Sequence, residues 1–302
     1  MMLNVNIRII PKRKYFIFIF AYYWIMMIFK LLKTTLFTVL VWASTCLYAQ
    51  DSTLLVCNYP DFDASISFFD VDQSENIYIV DQSSTLTKMD IQGNLKGSFN
   101  YALYGTLTSI SVLNPMKIML FYKESGILLF LNDDLVPITK PFELLDKNYQ
   151  NITCAVFTGS DQIVLYEPYE SKIVILDFNG NEISKNQLSF EQFSPFTLIP
   201  NSSKGFVFQD SINGLFFFNS FGSFEKQLFI LTPSTIQISG DVVAYFENGN
   251  WNEYNMKMLS QNQLEMQKLI PNTVNIQKII KTKNHFIGIN VTGKLFICEK
   301  NF

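Results

Sequence analysis

The sequence predicts an all-β fold, a six-bladed β-propeller with four-stranded blades, and three observations carry that expectation. A unit of about 43 residues recurs six times within residues 50–302. In each unit, short runs of Val, Ile, Phe and Tyr alternate with turns of Asn, Asp, Ser and Gly. The last unit stops without a fourth strand, while an apolar run before the first unit has no place in it.

The clearest unit begins Phe69-Asp70-Val71-Asp72-Gln73-Ser74-Glu75-Asn76-Ile77-Tyr78-Ile79-Val80-Asp81 and continues Leu86-Thr87-Lys88-Met89-Asp90-Ile91-Gln92-Gly93-Asn94. Its second strand reappears as Ile118–Tyr122, Ile163–Tyr166, Phe206–Gln209, Val242–Phe246 and Phe286–Ile289. Its third strand reappears as Ile127–Leu131, Lys172–Leu176, Leu215–Phe218, Trp251–Tyr254 and Leu295–Cys298. The third strands end at Asp90, Asn132, Asp177, Asn219, Asn255 and Glu299, in steps of 42, 45, 42, 36 and 44 residues. The fifth unit is the shortest and lacks the turn glycine, so its edges are the least defined. The first strands, Ile66–Val71, Ile110–Leu113, Thr153–Phe157, Phe196–Ile199, Thr235–Ile238 and Asn275–Ile279, are expected to wall a central channel.

Several strands are apolar throughout, as in Ile163–Tyr166 and Phe216–Phe218. A sheet with one wet face would alternate. Blades stacked face to face bury both faces of their inner strands, which explains the unbroken runs. Leu54–Cys57 is expected to pair beside Leu295–Cys298, completing the last blade and covering an open edge. Cys57 would then lie near Cys298. Two buried thiols are the default state there, with a disulfide as the alternative in an oxidising compartment. Cys154 reads as a buried thiol.

Residues 1–49 read as a secretory signal, to be set aside from the fold. Lys30 and Lys33 precede the apolar stretch Thr34–Leu47, and Leu47-Tyr48-Ala49 before Gln50 fits a cleavage site, with translation starting near Met27. The run Tyr15–Phe29 behind Lys12-Arg13-Lys14 is either an over-extended start or part of an anchor spanning Tyr15–Tyr48; two interior lysines disfavour the anchor. The mature chain is expected to be exported, periplasmic or outer-membrane-associated, with no membrane insertion of its own. Loss of residues 1–50 removes six basic residues and no acid, leaving 17 lysines against 26 acids and a net charge of −9. No arginine remains. Arginine is the preferred bidentate reader of phosphate and guanine, so a nucleic-acid partner is not expected.

No catalytic constellation, metal set or cofactor motif stands out. His285 is the only histidine and reads as a surface turn residue. Asp70-x-Asp72-x-Ser74 has the start of a calcium loop but lacks its glycine and terminal glutamate, and is expected to be a turn whose side chains bond local backbone. The loops after the second strands carry acids: Asp81, Glu124, Glu167 with Glu170, Asp210 and Glu247. They share a face with the long blade-to-blade connections, which hold Tyr101, Tyr104, Phe142, Tyr149 and Phe193. The candidate partner-binding set is Tyr101, Tyr104, Glu124, Phe142, Tyr149, Glu167, Tyr169, Glu170, Phe193, Asp210 and Glu247, since exposed aromatics anchor protein interfaces. The bland alternative makes these aromatics local core over blade edges.

The stretch Asp70–Asn94, with Val71-Asp72, Asn76-Ile77-Tyr78-Ile79-Val80-Asp81 and the Asp90–Asn94 turn, resembles NHL-type propeller repeats. That resemblance implies a six-bladed fold and no single activity. Enzymes on this fold, such as lactonases and amidating lyases, use channel-lining metal ligands, and this chain lacks the histidines some of them need. The Tyr48-Ala49-Gln50 signal end and the Phe/Ile/Asn/Lys-rich mature composition resemble secreted proteins of the Bacteroidota. Among these the chain is similar in outline to the plug subunits of the type IX secretion translocon. The resemblance implies a protein partner in the cell envelope, a large outer-membrane barrel whose periplasmic mouth the propeller closes. A channel-site enzyme or small-ligand binder is the alternative, and a purely structural periplasmic module a third.

Overall fold

A computed structural model of the chain describes Trp24, residues 26–33 and residues 55–300, apart from 63, 202, 203, 232 and 271–275. The chain divides into two compact units, Met1–Ser52 and Thr53–Phe302. In the first, residues 26–33 are helical. The apolar stretch Thr34–Leu47, the cleavage site and most of the anchor span lie outside the described residues. Among those described, no helix is long and apolar enough to cross a membrane.

The second unit opens with β1 (Val56–Asn58) and then builds six sheets of four antiparallel strands. The first blade is β2 (Ile66–Val71), β3 (Ile77–Asp81), β4 (Leu86–Met89) and β5 (Leu95–Phe99). The second is β6 (Ser109–Ser111), β7 (Ile118–Tyr122), β8 (Ile127–Leu131) and β9 (Phe142–Glu143). The third is β10 (Cys154–Phe157), β11 (Gln162–Glu167), β12 (Lys172–Asp177) and β13 (Glu182–Gln187). The fourth is β14 (Pro195–Asn201), β15 (Gly205–Asp210), β16 (Gly214–Phe218) and β17 (Phe224–Leu228). The fifth is β18 (Thr235–Ser239), β19 (Val242–Glu247), β20 (Asn250–Asn255) and β21 (Ser260–Glu265). The sixth holds β22 (Ile276–Lys281), β23 (His285–Asn290), β24 (Leu295–Glu299) and, outermost, β1.

The blades form a ring, and apolar clusters fill the seams between neighbours. Tyr78 and Val80 of the first blade pack against Ile118, Leu120 and Tyr122 of the second. The intervening residues of β7, Met119 and Phe121, pack the other way, against Phe157 and Leu165 of the third blade. Successive strand side chains point to opposite faces, and here both faces meet a neighbouring blade. Phe69, Ile77 and Ile79 of the first blade likewise meet Ile280, Ile287 and Ile297 of the sixth.

The turns repeat one device. Asp90, Asn132, Asp177 and Asn219 each end a third strand and accept backbone N–H groups of the turn on their side-chain Oδ1. Three residues on comes a positive φ: Gly93, Leu135, Gly180 and Gly222. In the fifth blade Asn255 accepts from Lys257 and Met258, and Leu259 at φ 52° takes a positive φ in a turn without glycine. Asp72 makes the same turn between β2 and β3, accepting from Ser74 and Asn76, so this aspartate serves local backbone as expected, whereas Asp70 accepts, among the described residues, only the Val71 N–H.

The second blade has a short outer strand. Only Phe142–Glu143 pairs fully, with an isolated bridge from Leu131 to Pro137, because Pro137 and Pro141 bring no N–H to the ladder. At β1, Cys57 lies directly opposite Cys298 with Cα atoms 4.0 Å apart, and the two form a disulfide in place of the expected thiols. Direct cross-strand opposition brings the two Cβ atoms within bonding reach. Cys154 is a buried free thiol, pushed up to about 11 by its burial.

Candidate functional site

The ring has two unlike faces. The lower face carries the turns between first and second strands and between third and fourth strands. The upper face carries the turns between second and third strands and the connections from blade to blade. Those upper loops lean on one another: Ser125 donates to the Tyr104 carbonyl at 2.8 Å, and Asn213 to the Gln192 carbonyl at 3.2 Å.

Polar contacts join neighbouring blades below. Lys88 meets Asp133 at 2.5 Å, Lys117 meets Asp161 at 2.5 Å, and Lys204 meets Asp241 at 2.9 Å. Lys281 pairs with Glu253. Between the third and fourth blades, Ser184 and Asn186 donate to the Phe221 carbonyl. Between the sixth and first, His285 Nδ1 lies 2.9 Å from Glu75 Oε2. His285 is therefore a buried partner of a carboxylate and not a surface turn residue; only 9% of it is exposed.

Glu75 also accepts from Thr282 Oγ1 at 2.5 Å and the Asn284 N–H at 3.1 Å. Burial alone would raise its carboxyl, but these bonds and the imidazole outweigh it and hold the group below its ordinary 4.5. A depressed carboxyl contributes its full stability above that unfolded value and loses it as pH falls through the folded one. Glu75→Gln is expected to cost about 1–2 kcal/mol at pH 7, and the gap from wild type should shrink below pH 4. Thermal melts from pH 3 to 7 read both effects.

The candidate residues fall into four groups. Tyr101, Glu124, Tyr169 and Glu170 are exposed in upper loops, Tyr169 by 88%. Glu170 is in contact with Lys172, while Glu167 and Glu247 are half-buried at strand ends. Tyr104, Phe142, Tyr149 and Phe193 are half-buried caps on the seams. Tyr104 lies tilted against Tyr101, ring centroids 4.3 Å apart, and packs edge-on to Tyr122. Phe142 leans on Gly180 of the third blade, where an added Cβ would fall 2.1 Å from its ring. Tyr149 donates to Glu182 of the same blade at 3.1 Å. Phe193 sits among Tyr166, Phe208 and Phe216. Asp210 is buried and holds the backbone N–H groups of Ser194, Ile212 and Asn213.

The upper loops also expose side chains outside that set. Leu103 is 84% exposed and Phe229 77%, and Leu145, Ile212, Leu231 and Val291 stand out as well. The run Phe229-Ile230-Leu231 between two blades was the available signal. An apolar triplet in a connection is either seam filling or surface, and here only Ile230 turns inward.

The inner strands enclose a cavity of about 560 Å³ along the ring axis. Thr108, Thr153 and Ser234 take matching positions on its wall, each donating its backbone N–H to the second strand of its own blade. Two oppositely charged side chains face the cavity, Asp70 from β2 and Lys278 from β22. Burial drives the Asp70 carboxyl up and the Lys278 ammonium down, and each partly offsets the other's shift. Among the described residues, no three His, Cys, Asp or Glu side chains converge to hold a metal ion.

No family model and no curated protein matches the sequence. Solved structures match in fold. The WD40 domain of Neurospora crassa Pan2 superposes with a TM-score of 0.55 at 12% identity, over 84% of this chain and 97% of that one. A streptogramin B lyase gives 0.55 at 8% identity, over 84% and 100%. Virginiamycin B lyase from Staphylococcus aureus gives 0.54 at 11% identity, over 80% and 82%. Propellers at this level of identity share architecture, and function must be argued from the site.

Proposed function

We propose that this chain is a non-enzymatic propeller of the cell envelope that docks on a protein partner through its upper face. The upper loops carry this reading: they leave Tyr101, Leu103, Tyr169, Ile212, Phe229 and Leu231 exposed among acids such as Glu124 and Glu191, on the face away from the ion pairs that link blade to blade, although the lower turns expose apolar side chains too, Met116, Phe221 and Met258 among them. Apolar anchors ringed by charge are the usual anatomy of a protein interface. The Cys57–Cys298 disulfide supports an oxidising compartment and hence export. In its narrower form, carried by the sequence resemblance, the partner is the type IX translocon barrel and the propeller closes its periplasmic mouth.

Affinity capture of the full chain from native envelopes tests this reading. Wild type is expected to retain one outer-membrane barrel, and the double variant Tyr169→Asp/Phe229→Asp to lose it while keeping its melting temperature. Recovery of the wild-type chain alone would overturn the docking reading. Recovery of a different envelope protein would overturn only the translocon form.

A further inference from the structure

The axial cavity carries a second site, separate from the docking face. Its volume, about 560 Å³, suits a small molecule. Asp70 and Lys278 line it from adjacent blades, and among the described residues no direct ion pair joins them. Each is only partly satisfied by the chain. Asp70 accepts the Val71 N–H at 2.9 Å on Oδ1, and Oδ2 has no donor among the described residues. Lys278 Nζ donates to the Phe69 carbonyl at 2.8 Å and lies 5.1 Å above the Phe69 ring. An ammonium has three N–H groups, so two remain for a ligand.

A third group points the same way. Gln209 is 6% exposed, lines the cavity, and hydrogen-bonds through its side chain to no described residue. Among the described residues it is the one lining residue drawn from a second strand, at the end of an otherwise apolar run Phe206-Val207-Phe208. Its amide is not sealed off from solvent, so it opens into the cavity with its donors and acceptor available to a polar ligand.

We infer that the cavity binds a small zwitterion, a free amino acid or dipeptide, with its carboxylate on Lys278, its ammonium on Asp70 and its amide or side chain on Gln209. Opposite charges that share a cavity without closing on each other are complementary to a molecule bearing both. A simple anion would leave Asp70 unmet, and a neutral sugar would leave both charges unmatched.

Isothermal titration of the full chain with glycylglycine, against maltose as an uncharged molecule of similar size, tests the inference. Saturable heat is expected with glycylglycine and none with maltose. Lys278→Met and Asp70→Asn should each weaken glycylglycine at least tenfold, and Gln209→Leu, an apolar replacement of nearly the same volume, should weaken it without loss of fold by circular dichroism. No heat with glycylglycine, equal heat with maltose, or unchanged affinity in the Lys278 and Asp70 variants would overturn it. Envelope capture is expected to be unaffected by these variants, which keeps this site and the docking face separately testable.

Discussion

The double variant Cys57→Ala/Cys298→Ala is expected to melt about 5–15 °C below the wild-type chain. The bond joins residues 241 apart, so it removes a very large loop from the freedom of the unfolded chain. Native disulfides contribute about 2–5 kcal/mol, with long loops toward the upper end. For a domain of this size each kcal/mol shifts the midpoint by about 2–4 °C. Among the described residues, β1 is held otherwise by one short pairing and the apolar cluster around Leu55. It has three residues, Val56 and Asn58 are exposed, and its anchorage is the pairing with β24, the buried Leu55 and the Leu55 N–H bond to the Leu269 carbonyl. Without the disulfide, β1 should fray first and uncover the edge of the last blade. Reductant should lower the wild-type midpoint by the same amount and leave the double variant unchanged. Equal midpoints with and without reductant would mean that the bond contributes nothing.

The second large effect separates two phenylalanines close in sequence. Phe208→Ala is expected to cost about 3–5 kcal/mol, the cost of emptying a buried aromatic site. Phe208 is fully buried and touches the rings of Tyr166, Phe193, Phe206 and Phe218. Part of that cluster, Phe193, comes from the blade-to-blade connection, so the seam between the third and fourth blades should loosen with it. Phe229→Ala should change stability by no more than about 0.5 kcal/mol, because the side chain is already in water. Its effect belongs to binding, where loss of an interface anchor costs about 2 kcal/mol or more and weakens the partner at least tenfold. Chemical denaturation and partner affinity on the same two proteins read both halves. A large stability loss in Phe229→Ala would mean that it is core and not an anchor.

The wheel was legible in the sequence because its determinants are local. Strand residues such as Ile118–Tyr122 are apolar on both faces, and turn residues such as Asp90 and Asn219 bond within five residues of themselves. Both leave a pattern at fixed spacing. The contacts that the sequence hid are those between blades. His285 looks like a lone turn residue until its partner, Glu75, arrives from 210 positions away. Asp70 and Lys278 meet the same cavity for the same reason, as strands of the first and last blades. Among the docking candidates, type alone could not tell Tyr169, which stands free, from Tyr149, which reaches over a seam to Glu182. Nor could it tell Glu124, in water, from Asp210, whose carboxylate is spent on three backbone N–H groups. Exposure in a propeller loop depends on how far the connection folds back over the neighbouring blade, and no local pattern records that distance.

Docking through the upper face is read directly by site-specific photo-cross-linking in living cells. A photoreactive phenylalanine would be placed at Tyr169, Ile212 and Phe229 above, and at Met116, Phe221 and Met258 below. All six positions are exposed, so the fold should accept the probe at each. Cross-links to one envelope protein are expected from the three upper positions and none from the lower three. Cross-links concentrated on the lower three, or spread evenly over both faces, would contradict docking through the upper face.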